Sequence, residues 1–201
     1  MTHALNNNKL YNIFNVLTIK KENKMGKKKN IIREYGISII AAIIIAVTFR
    51  TYVFARADVE GKSMYSTLND KDVLFVEKIS LLTHSFKHGQ IVIFDSGNLN
   101  KDIYVKRVIA VAGDEIEIKD GMVYLNGTKL QENYLDKNTV TNPGPFLTQN
   151  GKYKVPEGYV FVLGDNRGDS VDSRMLGPIS TKALKGHVVI RVYPFNTFKL
   201  F

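Results

Sequence analysis

The chain has no cysteine among its 201 residues. That excludes a disulfide framework and every thiolate chemistry, whether nucleophilic or metal-binding. Histidine is nearly as scarce, with only His3, His84, His88 and His187. His84 and His88 stand four apart in a Ser- and Lys-rich stretch, but no third ligand at metal-site spacing accompanies them. Repeats and low-complexity tracts are missing, and so is any long charged face. The formal net charge is +9, yet six of those nine charges fall within residues 1–34, and both signs are interspersed afterwards. A basic tail of this kind does not read nucleic acid. At 44% hydrophobic residues the remainder suffices for one packed domain plus an appendage.

Long apolar runs are also lacking, with one exception. Tyr35 to Phe49 carries no charge, Arg50 interrupts, and Thr51 to Ala55 is again uncharged. A bilayer core needs about 20 apolar residues. Arg50 can snorkel to the headgroups and extend the span toward Phe54. No small-x-small cleavage site follows promptly, so residues 35–54 are expected to form an uncleaved anchor. The lysine-rich tail, residues 1–34, would stay cytoplasmic and residues 55–201 would form an extracytoplasmic domain. Lys21-Glu22 can be encoded as a purine-rich ribosome-binding sequence two codons before Met25, so translation is expected to start there rather than at Met1. The mass of the mature N-terminus tests this.

After the anchor come short β-branched segments with turn punctuation: Asp72 to Glu77, Gln90 to Phe94, Ile103 to Val111, Tyr159 to Leu163 and His187 to Val192. Between Glu115 and Leu130, Asp120-Gly121 and Asn126-Gly127 mark two tight hairpins. Asn126-Gly127-Thr128 also fits a glycosylation sequon, but the turn accounts for it. Residues 136–153 read as a surface loop. The expected fold is mostly β: a partly closed antiparallel domain preceded by a single membrane helix.

Three stretches carry chemistry. In V-E-G-K-S-M-Y-S-T-L, Gly61 lets the backbone approach a substrate, and Ser63 offers a small hydroxyl. In I-Y-V-K-R-V-I-A-V, strand alternation puts Lys106 on one face with Tyr104 and Val108. A lysine among apolar neighbours must be paired, snorkelling or deprotonated, and desolvation lowers its pKa toward that of a general base. An ordinary edge-strand lysine is the alternative at this point. In G-D-N-R-G-D-S-V-D-S-R, a strand runs into a polar loop whose aspartates face two arginines. No glutamate closes an EF-hand register, so an arginine–carboxylate network that fixes the loop is the better reading.

Taken in order, G-K-S-M-Y-S-T-L, Y-V-K-R-V-I-A-V-A-G-D and G-D-N-R-G-D-S-V-D-S-R resemble bacterial type I signal peptidase, and the N-terminal anchor fits that resemblance. The likeness runs from about Lys27 to Val192. It implies a membrane-bound serine endopeptidase that removes signal peptides from secreted preproteins after a small-x-small motif, without metal or cofactor. It implies Ser63 as nucleophile, Lys106 as general base, and Ser170 as the hydroxyl that orients the amine. Asp172 with Arg174, and Asp165 with Arg107, match structural pairs beside the site. The Ser63 backbone N–H would hold the oxyanion. The second donor is expected two residues earlier, where Gly61 has no hydroxyl. Val59, Gly61, Met64, Leu68, Tyr104 and Val105 match substrate-binding positions. The chain departs from the pattern at Ser66 and Ala112, where prolines are usual, and at His88-Gly89-Gln90, where Arg and Asp are common. Self-cleaving repressors share a Ser-Lys pair but need a DNA-binding domain where this chain has an apolar run. A non-catalytic anchored binding protein on the same scaffold is the alternative from another class.

Overall fold

The computed structural model describes residues 33–48, 53–97, 102–147 and 151–201. The chain divides into two compact units, residues 1–49 and 50–201. In the first, residues 33–48 form helix α1, whose large apolar side chains from Tyr35 to Val47 are exposed. Among the described residues no helix is long and apolar enough to cross a membrane. Residues 1–32 and 49–52 lie outside the described residues, and with them the expected start at Met25 and the far end of the expected span. Phe54, the last residue of that span, is the first residue of a strand.

The second unit is built from antiparallel strands. The larger sheet contains β1 (Phe54–Asp58), β2 (Val73–Glu77), β3 (Ile91–Asp95), β4 (Ile103–Val111), β9 (Tyr159–Leu163), β10 (Ile179–Ser180), β11 (Leu184–Tyr193) and β12 (Lys199–Leu200). Its order is β1-β2-β11-β3-β4-β9-β10, with β12 on the second half of β11. Among the described residues the ends of this path, β1 and β10, do not pair with each other. A second sheet, β7-β6-β5-β8, is formed by β5 (Glu115–Lys119), β6 (Met122–Leu125), β7 (Thr128–Lys129) and β8 (Lys152–Lys154). Short helices α2 (Ile79–Thr83) and α3 (Ser173–Leu176) sit in the connections. The hairpin turns form as expected, with φ of 52° and 75° at Asp120-Gly121 and 53° and 77° at Asn126-Gly127. Both central residues of such turns need positive φ, which explains these dipeptides.

β3 and β9 show why the molecule is layered as it is. Each is a continuous apolar run, the pattern of a strand covered on both faces. Ile91 and Ile93 enter one cluster with Val59, Met64, Leu68, Leu74 and Val188. Val92 and Phe94 enter another with Val108, Val160, Val162 and Leu184. Phe161 and Leu163, on the opposite face of β9 from Val160 and Val162, anchor the third cluster with Ile116, Ile118 and Val123 of the second sheet. Full burial of such a side chain stabilises by about 1.5–3 kcal/mol, so these central strands fix the frame on which the polar loops are mounted.

Two expectations need correction. Phe54, expected as the last residue of the anchor, instead opens β1, and all five residues Phe54–Asp58 pair with β2. The expected loop 136–153 ends inside β8, where Lys152 and Tyr153 pair with β5.

Candidate active site

The G-K-S-M segment leaves β1 at Asp58 and crosses back toward β2, with Met64 and Leu68 plugged into the core beneath it. Gly61 adopts φ +89°, as its position in this tight segment requires, and its N–H donates to Asp70 Oδ1 at 2.8 Å. Ser63 thereby stands over β4, where Lys106 is only 3% exposed. The amine is 2.8 Å from Ser63 Oγ, donates to the carbonyl of Val105 at 2.9 Å, and lies 5.0 Å from the Tyr104 ring centroid. Burial pulls the Lys106 pKa from 10.5 down to about 8, against the opposing pull of the Asp172 carboxylate. A substantial neutral fraction near physiological pH is what a lysine base requires.

The third motif closes over this pair. Gly164, at the end of β9, comes so close that a Cβ there would stand 2.1 Å from Ser170 Oγ and 2.5 Å from the Ser63 carbonyl oxygen. Asn166 donates through its backbone N–H to Ser63 O and through Nδ2 to Lys62 O, each at 3.1 Å. Asp172 caps α3 and grips Arg174 through both carboxylate oxygens at 2.8 Å, while Gly164 N–H donates to the same carboxylate at 2.9 Å. Burial alone would raise the Asp172 pKa, but Arg174, the Gly164 N–H and the Ser170 hydroxyl hold it below the ordinary carboxylate value. Arg107 is clamped by Asp165 at 2.9 and 2.6 Å and stacks 3.9 Å from the Tyr134 ring centroid.

Most expected positions converge here. Ser63 and Lys106 touch, and both Asp–Arg pairs form. Ser170 is different: its Oγ is buried and makes no hydrogen bond of good geometry, although it lies near enough to Asp172 to affect that carboxylate. The Lys106 amine bonds to Ser63 and Val105 instead. A cleft of about 660 Å³ opens beside the pair, with Val59, Gly61, Met64, Tyr104 and Val105 on its wall. Leu68 is the exception, fully buried behind that wall. Sequence reasoning missed Ile93, Ile103, Asp169 and Val171, which also line the cleft. It missed the Arg167 cluster too, in which the guanidinium bonds to Glu132 and, at 2.6 Å, to Thr141 Oγ1. Nothing in L-Q-E-N-Y-L marks Glu132 as the partner of Arg167 or Tyr134 as that of Arg107.

The ordered motifs thus become one site in three dimensions, and comparison with known proteins gives the family that these motifs resemble. The family model described as signal peptidase, peptidase S26, matches residues 32–193. The chain belongs to the signal peptidase family. It is 42% identical over 182 residues to signal peptidase I of Bacillus licheniformis, covering 89% of this chain and 97% of that protein. It is 41% identical over 177 residues to signal peptidase I T of Bacillus subtilis, covering 86% and 91% of the two chains. A crystal structure of a signal peptidase I from Enterococcus faecalis is 32% identical, with a TM-score of 0.43, and covers 51% of this chain and 96% of that one. Signal peptidases of this family are serine endopeptidases that remove signal peptides, and that is the activity of this chain.

Proposed function

We propose that Ser63 is the nucleophile and Lys106 the general base of signal-peptide cleavage. The observation that supports this most directly is the 2.8 Å contact between Oγ and an amine whose pKa burial has brought to about 8. Neutral Lys106 takes the Ser63 proton as Oγ attacks the scissile carbonyl. The carbonyl electron pair moves to oxygen, and collapse of the adduct expels the amine of the mature protein, which receives that proton from Lys106. In the second half Lys106 takes a proton from water as the water oxygen attacks the acyl carbon. Collapse breaks the ester bond to Ser63 Oγ, which takes that proton back, and frees the signal peptide as its carboxylic acid. The Ser63 N–H stabilises the oxyanion in both halves. The apolar wall of Val59, Met64, Tyr104 and Val105 serves twice: it admits small side chains ahead of the cleavage point, and it keeps water from Lys106. The Asp172–Arg174 and Asp165–Arg107 pairs hold the loop against the dyad. Residues 35–53 tether the enzyme to the cytoplasmic membrane, with the basic tail inside and the catalytic domain outside.

Cleavage of a preprotein by the purified full chain tests this reading. Wild type is expected to trim after a small-x-small motif, and Ser63→Ala and Lys106→Met to fall by at least about 10³-fold. Turnover that survives Lys106→Met would place the base elsewhere. A wild type inert on several preproteins would favour a binding scaffold.

A further inference from the structure

An oxyanion donor works only if its direction is fixed before the charge appears. In this chain that demand is concentrated on one group, because Gly61 has no side chain to supply a second donor and its own N–H is engaged by Asp70. The Ser63 N–H belongs to the same planar peptide unit as the Lys62 carbonyl, and in a trans peptide the two point in opposite directions. Whatever holds the Lys62 oxygen therefore aims the Ser63 hydrogen. Two donors hold it: the Tyr65 N–H at 3.0 Å and Asn166 Nδ2 at 3.1 Å. Both lone pairs of the carbonyl are thereby used. Asn166 also donates its backbone N–H to the Ser63 carbonyl, so a single residue of the third motif grips the oxygens on both sides of the nucleophile.

We infer that Asn166 is a positioning residue for the oxyanion hole: its side-chain amide fixes the Lys62–Ser63 peptide plane so that the Ser63 N–H points at the developing charge. The residue touches no substrate and acts through the peptide it holds. Its backbone bond to Ser63 O survives substitution and keeps the loop docked, so the side chain can be tested by itself. This inference rests on Ser63 being the nucleophile.

The test compares wild type, Asn166→Ala, Asn166→Asp and Ser63→Ala as full chains, on one preprotein and two probes. The first probe is a small-x-small peptide aldehyde, which Ser63 Oγ attacks to form a hemiacetal while the carbonyl pair moves to oxygen. The second is the same peptide as its uncleaved amide, which binds without forming an oxyanion. Losing one exposed hydrogen bond that orients a donor should lower kcat about tenfold. KM and amide binding should stay within about twofold, and aldehyde affinity should fall in step with kcat. Asn166→Asp, similar in volume but unable to donate when ionised, should fall at least as far, and it decides the matter if Asn166→Ala does not fold. Wild-type kcat and aldehyde affinity in these variants, or equal losses for aldehyde and amide, would overturn the inference. Turnover by Ser63→Ala would instead overturn the nucleophile assignment on which it rests.

Discussion

At the scale of single residues, the most informative group is Lys106. Its pKa of about 8 is set first by burial, and the Asp172 carboxylate restrains the fall. As the proposed base it must be neutral, so kcat/KM should climb roughly tenfold per pH unit below that value and level off above it. The same displacement has a thermodynamic face. In the unfolded chain the amine returns to about 10.4. Between about 8 and about 10.4 the unfolded state therefore binds the extra proton, and stability should rise with pH across that window. Below it the full cost of burying the amine is present. Urea unfolding at pH 7.5 and pH 10, on wild type and Lys106→Met, measures this. An increase across the window that is lost in the methionine variant is expected, and equal behaviour of the two proteins would refute the assignment. That a lysine stood in an apolar strand was legible in the sequence. That its amine reached Ser63, 43 positions away, was not, because strand alternation gives a face and never a partner.

At the scale of elements, the catalytic loop is held by its return path. The loop leaves β9 at Gly164 and is pinned by the Asp172 cap of α3, which sends one carboxylate to Arg174 and to the Gly164 N–H. Gly164 is the narrowest point, because a methyl group there would collide with Ser170 Oγ and the Ser63 carbonyl. Gly164→Ala should therefore push the loop away from the nucleophile and lower kcat by about 10²-fold, the scale of a misplacement of roughly an ångström. Labelling with a serine-reactive peptide aldehyde and thermal unfolding would separate the effects. Retention of wild-type labelling would show that the loop can yield without disturbing Ser63. The motif residues of this loop could be found in the sequence because Asp and Arg alternate there without any apolar period. The partners of Arg167, Glu132 and Thr141, could not, since they lie in a connection with no pattern of its own. β1 escaped for a different reason. Its first residues, Phe54 and Ala55, continue the uncharged stretch after Arg50, and only the pairing with β2 distinguishes strand from anchor there.

At the scale of the whole molecule, charge and apolar sequence are segregated. Six of nine net positive charges precede residue 35, directly before an uncharged stretch. Membranes from expressing cells should keep the protein through alkaline extraction, and protease added outside spheroplasts should degrade the catalytic domain while sparing an epitope on the basic tail. Loss to the soluble fraction, or protection of the catalytic domain, would contradict the proposed tether. The fold also dictates where a soluble version begins. Phe54 pairs with Glu77, and Lys78 N–H donates to the carbonyl of Val53 at 2.9 Å, so a start at Arg56 removes part of an edge strand that a start at Val53 preserves.

The position of β11 adds the dimension of time. This strand, from Leu184 to Tyr193, lies between β2 and β3, and its Arg191 bonds to Asp72 at 2.9 Å just beyond the nucleophile segment. Ser63 is thus made early and armed late. A chain emerging from the ribosome carries the hydroxyl for more than a hundred residues before the strand that completes its sheet exists. Pairings so distant in sequence close slowly and last. The order of synthesis thereby leaves the proposed nucleophile without its finished sheet until β11 has emerged.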